Sequence, residues 1–304
     1  MEIEKYLKEI LMGQELSEEQ EKALQASRGE VEEILRAAFV DCNPTIRYAG
    51  SKIKGTMNKV SFDLDIICYF NHDDTAAGET LEDVYNNVRD FLAESYIVEA
   101  KTSAIRVKSK EADTFGVDFH IDVVPGRFVD DSKTDTYLYQ LSAEKKRLKT
   151  NLDVHIKHIV DSGLVDVIRL SKVWKEKLGL PVKTFVLELL VVKYAKKTKD
   201  SPLSNGIKSF WEELQNNADS LSIEDPANPD GNDLSAYLDE CGAMLGEYAA
   251  SALQSIERED WKGIFGEPEL IGEEKMKAIN IIAASTSSAP RPWATDNEDD
   301  MASK

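Results

Sequence analysis

Residues 50–65 are the most informative part of this chain for its fold, and they read Gly50-Ser-Lys-Ile-Lys-Gly-Thr-Met-Asn-Lys-Val-Ser-Phe-Asp63-Leu-Asp65. It ends inside a strand predicted over residues 62–70, where apolar side chains alternate with Asp63 and Asp65 and so occupy the opposite face. Two like charges this close repel, and their joint burial requires a cation between them. Mg²⁺ prefers hard oxygen ligands and keeps coordination sites free for phosphates. The pair therefore predicts a magnesium site at the rim of an apolar core.

A glycine-serine turn and a third acid complete the predicted site. Gly50 and Ser51 can present backbone N–H groups and a hydroxyl to phosphate oxygens. A second strand, predicted over residues 116–124, places Asp118 and Asp122 on one face. We expect Asp122, which opens the sequence Asp-Val-Val-Pro, to be the third metal ligand, with Asp118 as the alternative. Three carboxylates would hold two Mg²⁺ ions, or Mn²⁺ in their place, which would activate an attacking hydroxyl and hold a triphosphate and the leaving pyrophosphate.

The remaining periodicity predicts an α+β fold. A capping box at Ser17 opens a helix predicted over residues 17–39, and a further helix is predicted near 80–95. After Pro125-Gly126 the strand signal fades, and five helices are predicted, at 151–161, 164–178, 182–197, 205–217 and 232–258. We therefore expect N-terminal bracing helices in 1–44, a catalytic lobe with a mixed sheet in 45–150 and a helical lobe in 151–284. The polar, acidic residues 285–304 are predicted to be a disordered tail.

Composition excludes several classes of function. The chain has 304 residues, with 37 Lys and Arg against 56 Asp and Glu, and a net charge of -19 repels an extended nucleic-acid backbone. Its longest apolar run, 185–192, contains Glu188 and is too short to span a bilayer. Three scattered cysteines fit a reducing cytoplasm, and four histidines without a cysteine-histidine cluster argue against structural zinc. We predict a cytoplasmic protein without membrane or extended nucleic-acid binding.

The ordered set of Gly-Ser, Asp-x-Asp and a strand Asp resembles the DNA polymerase β-like nucleotidyltransferase superfamily. Later segments narrow the resemblance to its oligoadenylate synthetase-like and cGAS group: Lys172-Val-Trp174-Lys175 is similar to the Lys-x-Trp helix of that group, and Asp225-Pro-Ala-Asn-Pro229 to its Asp-Pro-x-Asn-Pro loop. Together with the segment at 261–266, they resemble the bacterial cGAS/DncV-like nucleotidyltransferases (CD-NTases). The resemblance spans roughly residues 45 to 266, and it implies a polymerase β-like nucleotidyltransferase lobe followed by a helical lobe.

The resemblance also implies roles for individual residues. Asp63, Asp65 and Asp122 match the metal-binding catalytic acids of the family, and Gly50 and Ser51 match its triphosphate-binding turn.

Lys172 matches a helical lysine that reaches the nucleotide phosphates. The alternative for Lys172 is a solvated helix face shared with Arg169 and Lys175, which recur at helical spacing.

The implied function is that of a Mg²⁺-dependent enzyme. It would join nucleoside triphosphates, ATP among them, into a cyclic di- or trinucleotide second messenger in bacterial antiphage (CBASS-type) signalling, with release of pyrophosphate. We expect a regulatory protein partner or infection-dependent ligands to control it, because the acidic composition offers no track for a long nucleic acid.

Three rivals remain from the residues alone. An RNA-tailing nucleotidyltransferase of the CCA or poly(A) type would need a basic tract for its RNA, which the charge of -19 argues against. A non-catalytic nucleotide-binding scaffold would be favoured by degenerate acids, whereas all three are present. An enzyme that nucleotidylates small molecules or proteins would not need so long a helical lobe.

Overall fold

The computed structural model describes residues 2–60, 63–110, 119–142, 145–196, 201–232 and 234–268 of the chain. The predicted tail at 285–304 and the alternative acid Asp118 lie outside these residues. In chain order the elements are α1 Glu2–Gly13, α2 Glu18–Ala38, β1 Thr45–Tyr48, α3 Gly50–Lys54, β2 Leu64–Phe70, α4 Leu81–Ser95, β3 Ile97–Ala100, β4 Ile105–Lys108, β5 Ile121–Phe128, β6 Thr136–Tyr139, β7 Arg147–Thr150, α5 Leu152–Val160, α6 Val165–Leu178, α7 Thr184–Tyr194, α8 Leu203–Asn216, α9 Ser235–Glu257 and α10 Trp261–Phe265.

The strands form one mixed sheet, which confirms the predicted α+β class. The strand order is β1-β2-β5-β4-β3, and β6 extends the sheet by pairing with both β5 and β7. β2 and β5 are parallel, whereas the other pairs are antiparallel. The parallel pair matters most for the site, because it brings two distant stretches of sequence side by side.

The strand predicted to end at residue 124 is longer than the pattern indicated. β5 continues through Pro125 and Gly126 to Phe128, where it pairs with β6. A Cβ at residue 126 would lie 2.7 Å from Thr136 Cγ2, so glycine lets β6 approach closely. The weak strand signal after residue 125 therefore reflected close strand packing, not the end of the sheet.

The alternating face of β2 packs as predicted. Its even-numbered residues are fully buried in the core under the sheet, together with the apolar stripe of α2: Leu24, Val31, Leu35, Leu64, Ile66, Cys68 and Phe70. The capping box of α2 is present, because the Ser17 side chain accepts from the Gln20 backbone N–H and the Gln20 side chain accepts from the Ser17 N–H. The helix predicted over 17–39 is thus confirmed within one residue at each end.

A second core lies among the helices after residue 150. The five predicted helices correspond to α5, α6, α7, α8 and α9, with ends that differ by a few residues. The apolar face of α1, formed by Leu7, Ile10 and Leu11, packs into this core, whereas α2 packs against the sheet. The two N-terminal helices therefore contact different cores. In the part of the chain that the structure describes, no helix is long and apolar enough to cross a membrane.

Candidate active site

The sheet places three charged side chains in one row. Asp65 of β2 is the register partner of Asp122 on the parallel strand β5, and Asp122 is the register partner of Arg106 on β4. Register partners on neighbouring strands share a face and lie about 4.8 Å apart. Asp63 lies just before β2, at the edge of the same row. Sequence spacing alone could not reveal this row, because register between strands is set by tertiary packing.

All six predicted site residues line one cleft. Its volume is about 930 Å³, and its walls include Gly50, Ser51, Asp63, Asp65, Asp122 and Lys172. The cleft is bounded by the sheet on one side and by helices α5, α6 and α7 on the other. The structure therefore brings the residues together, while the roles assigned to them stay predictions.

Burial and a neighbouring acid disfavour the ionised form of the Asp65 carboxylate. Desolvation by burial, reinforced by the negative charge of Asp122, raises the pKa of Asp65 to about 7, although Lys54 opposes the shift. A bound cation would relieve this repulsion.

Gly50 packs directly on the Asp65 side chain. Its φ of 57° lies in the left-handed region, and a Cβ at this position would fall 1.6 Å from Asp65 Oδ2. Only glycine satisfies both constraints. The turn that begins α3 is thereby held against the acids, with Ser51 immediately after it.

Asp63 is paired with a histidine that the sequence analysis did not assign. His120 Nε2 lies 3.0 Å from Asp63 Oδ1. Burial alone would raise the pKa of Asp63, but the contact with His120 outweighs it and the pKa is lowered. For His120, burial opposes protonation, yet the Asp63 carboxylate outweighs it and raises the pKa of the imidazole.

Asp122 is paired with Arg106, which was also missed. The Arg106 guanidinium donates from Nε to Asp122 Oδ1 at 2.9 Å and from one terminal nitrogen to Oδ2 at 2.8 Å. This bidentate form is the strong geometry for an arginine and a carboxylate. The signal was present in the sequence, because Arg106 lies between two apolar strand residues and must face away from the core.

The donor chemistry of the acids fits Mg²⁺ or Mn²⁺. Carboxylate oxygens are the ligands that these ions prefer, and Asp65 carries a charge that a cation would stabilise. Among the described residues, no group of three or more Asp, Glu, His or Cys side chains is arranged to hold a metal ion. Asp63, Asp65 and Asp122 line the same cleft and are the residues that would hold such an ion.

Lys172 is buried, so its alternative interpretation as part of a solvated face is wrong. Its side chain is 4% exposed, and its Nζ donates to the carbonyl and hydroxyl oxygens of Thr56 at 3.0 Å and contacts Glu188 Oε1 at 2.7 Å. Glu188, inside the apolar helix α7, also accepts from Lys54 and from the Thr56 hydroxyl. Burial alone would raise the pKa of Glu188, but the two lysines outweigh it and lower the pKa to about 2. This lysine-glutamate cluster joins the segment after Gly50 to helices α6 and α7.

The other two members of the basic stripe have separate environments. Arg169 is 2% exposed and donates to Asn58, to Glu15 and to the carbonyl of Leu11, which ties α6 to α1. Lys175 lines the cleft, and its charge is among those that lower the pKa of Asp63. Lys175 is therefore a cleft-facing cation near the acids.

The Asp-Pro-x-Asn-Pro loop lies at the other end of the cleft. The Asp225 carboxylate, 1% exposed, is 2.7 Å from His155 Nε2 and accepts from the Asn232 side chain at 2.7 Å. Asn228 donates to the carbonyl of Lys149 at 3.1 Å. The His155 ring packs on Phe185, with 5.1 Å between ring centroids. The loop residues thus hold the loop against α5 and β7.

Comparisons by sequence find no matching family model and no matching curated protein. Solved structures do match. The CD-NTase CdnG of Bradyrhizobium diazoefficiens, in complex with GTP, matches with a TM-score of 0.69 and 12% identity over 92% of this chain and 100% of that chain.

Two further matches have similar coverage. E. coli MS115-1 CdnC with ATP gives a TM-score of 0.60 and 16% identity over 88% of this chain and 98% of that chain. Vibrio cholerae DncV, a cyclic AMP-GMP synthase in complex with nonhydrolyzable GTP, gives 0.58 and 19% over 80% of this chain and 76% of that chain. The resemblance predicted from the sequence is confirmed at the level of structure: the chain has the polymerase β-like fold of the CD-NTases.

Proposed function

We propose that this protein is a nucleotidyltransferase that joins nucleoside triphosphates, ATP among them, into a cyclic di- or trinucleotide and releases pyrophosphate. The observation that carries the proposal is the row of Asp65 and Asp122 on parallel strands, with Asp63 at its edge and the Gly50-Ser51 turn packed on Asp65, all facing one cleft. The CD-NTase fold and the nucleotides bound to CdnG and CdnC support it.

The residues have distinct tasks in this proposal. Asp63, Asp65 and Asp122 would hold the divalent ions, which when bound would supply activation of the attacking ribose hydroxyl and neutralisation of the phosphates. The backbone and hydroxyl of Ser51 orient the triphosphate, and Lys175 adds positive charge beside it. Catalysis then rests on positioning and electrostatic stabilisation of the reacting groups.

The proposed biological role follows from the proposed product. A cyclic nucleotide product would act as a second messenger in bacterial antiphage signalling. One of the matched structures is the complex of E. coli MS115-1 CdnC with HORMA-deltaN. By analogy, a protein partner controls synthesis here.

The decisive experiment is incubation of the purified protein with all four labelled nucleoside triphosphates and Mg²⁺, followed by phosphatase and mass spectrometry. Phosphatase-resistant products with the mass of a cyclic di- or trinucleotide are expected. Products that remain phosphatase-sensitive would indicate linear synthesis, and extension of an added RNA would indicate a tailing enzyme. The absence of any pyrophosphate release would contradict the proposal.

A further inference from the structure

The third predicted metal ligand, Asp122, has a partner from its own chain. Both of its carboxylate oxygens accept hydrogen bonds from Arg106, at 2.9 and 2.8 Å. The pair is partly buried, with 24% of the Arg106 side chain and 15% of the Asp122 side chain exposed. Its geometry follows from the sheet, since the two residues are register partners on β4 and β5.

Arg106 and a divalent cation would compete for the same carboxylate. A cation shared by Asp65 and Asp122 would lie within a few ångströms of the Arg106 guanidinium, because all three residues stand in one row. Arginine stays protonated at any physiological pH, so this repulsion cannot be relieved by loss of a proton. It is relieved only when the guanidinium moves away from Asp122.

We propose that Arg106 is the resident counter-ion of this site: it neutralises Asp122 when no divalent cation is bound and must be displaced for the cation to bind. The proposal rests on the metal site assumed in the proposed function. Its consequence is that Arg106 lowers the affinity of the nucleotide-free protein for divalent cations. It also offsets part of the negative charge that Asp122 presents to its neighbours before the substrate arrives.

A purely architectural ion pair would behave differently. If the pair only fastened β4 to β5, its loss would lower the melting temperature and leave cation affinity unchanged. The surface of α4 carries a matched pair for comparison, since Arg89 donates from Nε and one terminal nitrogen to Asp90 at 2.9 and 2.8 Å. Arg89→Gln removes the same charge outside the sheet, together with two guanidinium hydrogen bonds that both end on Asp90 Oδ1.

The experiment titrates Mn²⁺ into the nucleotide-free protein and measures free Mn²⁺ by electron paramagnetic resonance. Wild type, Arg106→Gln, Arg106→Lys and Arg89→Gln are compared, with melting curves to verify folding. Removing a unit charge near the ion should tighten binding by about fivefold or more in Arg106→Gln. Arg106→Lys, which keeps the charge, should stay close to wild type, as should Arg89→Gln.

Equal affinity in wild type and Arg106→Gln, or equal tightening in Arg106→Gln and Arg89→Gln, would overturn the counter-ion role. Weaker binding in Arg106→Gln would overturn it too, and would make Arg106 a residue that orients Asp122 toward the ion.

Failure of every variant to bind Mn²⁺ would overturn the metal site as well, whereas a wild type that binds Mn²⁺ and makes no cyclic product would contradict the proposed function alone. If Arg106→Gln does not fold, Arg106→Lys binding Mn²⁺ at least about fivefold more tightly than wild type would overturn the role.

Discussion

The acids are the residues on which the proposed chemistry depends most directly. Asp63→Asn combined with Asp65→Asn should abolish product formation, because the ions lose two ligands while the apolar face of β2 is untouched. Without metal the melting temperature should change little, because removal of a buried charge at residue 65 offsets the loss of the contact between Asp63 and His120. Turnover assays and melting curves measure both effects.

A matched pair of surface substitutions controls for the lost charge. Asp73→Asn with Asp131→Asn removes two carboxylates whose side chains are 77% and 98% exposed near His72. This variant should retain full turnover. Normal activity in the Asp63/Asp65 variant with Mg²⁺ would refute the assignment of the metal ligands.

Substitutions of Lys172 and Lys175 distinguish an effect on stability from an effect on triphosphate binding. Lys172→Met leaves the buried Glu188 without one of its cations and should lower the melting temperature by roughly 5 °C. It should also raise KM for the triphosphate, because Lys172 lines the cleft that is proposed to bind it.

Lys175 provides the comparison, because its side chain is 15% exposed and pairs with the adjacent Glu176. Lys175→Ala should raise KM several-fold at an unchanged melting temperature. Wild-type kinetics in Lys175→Ala would show that Lys175 does not contribute to binding of the triphosphate.

At the scale of elements, α7 depends on a single carboxylate in an apolar helix. Glu188→Gln should destabilise the protein at pH 7 by about 3 kcal/mol or more, because two lysines lose their buried counter-charge. The pKa of Glu188 is lowered from 4.5 to about 2, so its ionised form stabilises the fold above pH 4.5 and that contribution disappears as the pH falls toward 2. The difference from wild type should therefore shrink over this range.

Urea denaturation at a series of pH values measures that difference. Glu213→Gln on the surface of α8, where Glu213 pairs with Lys196, is the control and should show no comparable loss. A pH-independent gap for Glu188→Gln would show that packing, not charge, causes the destabilisation.

At the scale of the whole molecule, the net charge of -19 limits what can activate the protein. Double-stranded DNA or RNA should not stimulate product formation at about 0.15 M salt, where attraction between distant charges is screened. Heparin serves as a polyanion without bases. Stimulation by DNA or RNA but not by heparin would reveal a nucleic-acid surface that the composition does not indicate.

The sequence was sufficient to predict α2, the strand that carries Asp65 and the helices α5 to α9, and to select the candidate acids, whereas β6 and β7 were not predicted. Alternation exposed the face of Asp63 and Asp65, and helical periodicity located α2 and the helices after residue 150, because these patterns depend on neighbours along the chain. The motif order also sufficed to predict the polymerase β-like fold. Lys172 was found as a motif residue, yet its burial was not visible from spacing.

Which side chains contact these residues became visible only in the tertiary structure. Strand register put Arg106 against Asp122, and the approach of β2 to residue 120 put His120 against Asp63. The packing of α7 against α3 and α6 gave Glu188 its two lysines, Lys54 and Lys172. Each of these contacts joins residues more than 15 positions apart, or on different elements, so its energy depends on how the elements pack and not on local pattern. The charged residues of the site can be recognised in the sequence, but the ion pairs that they form cannot.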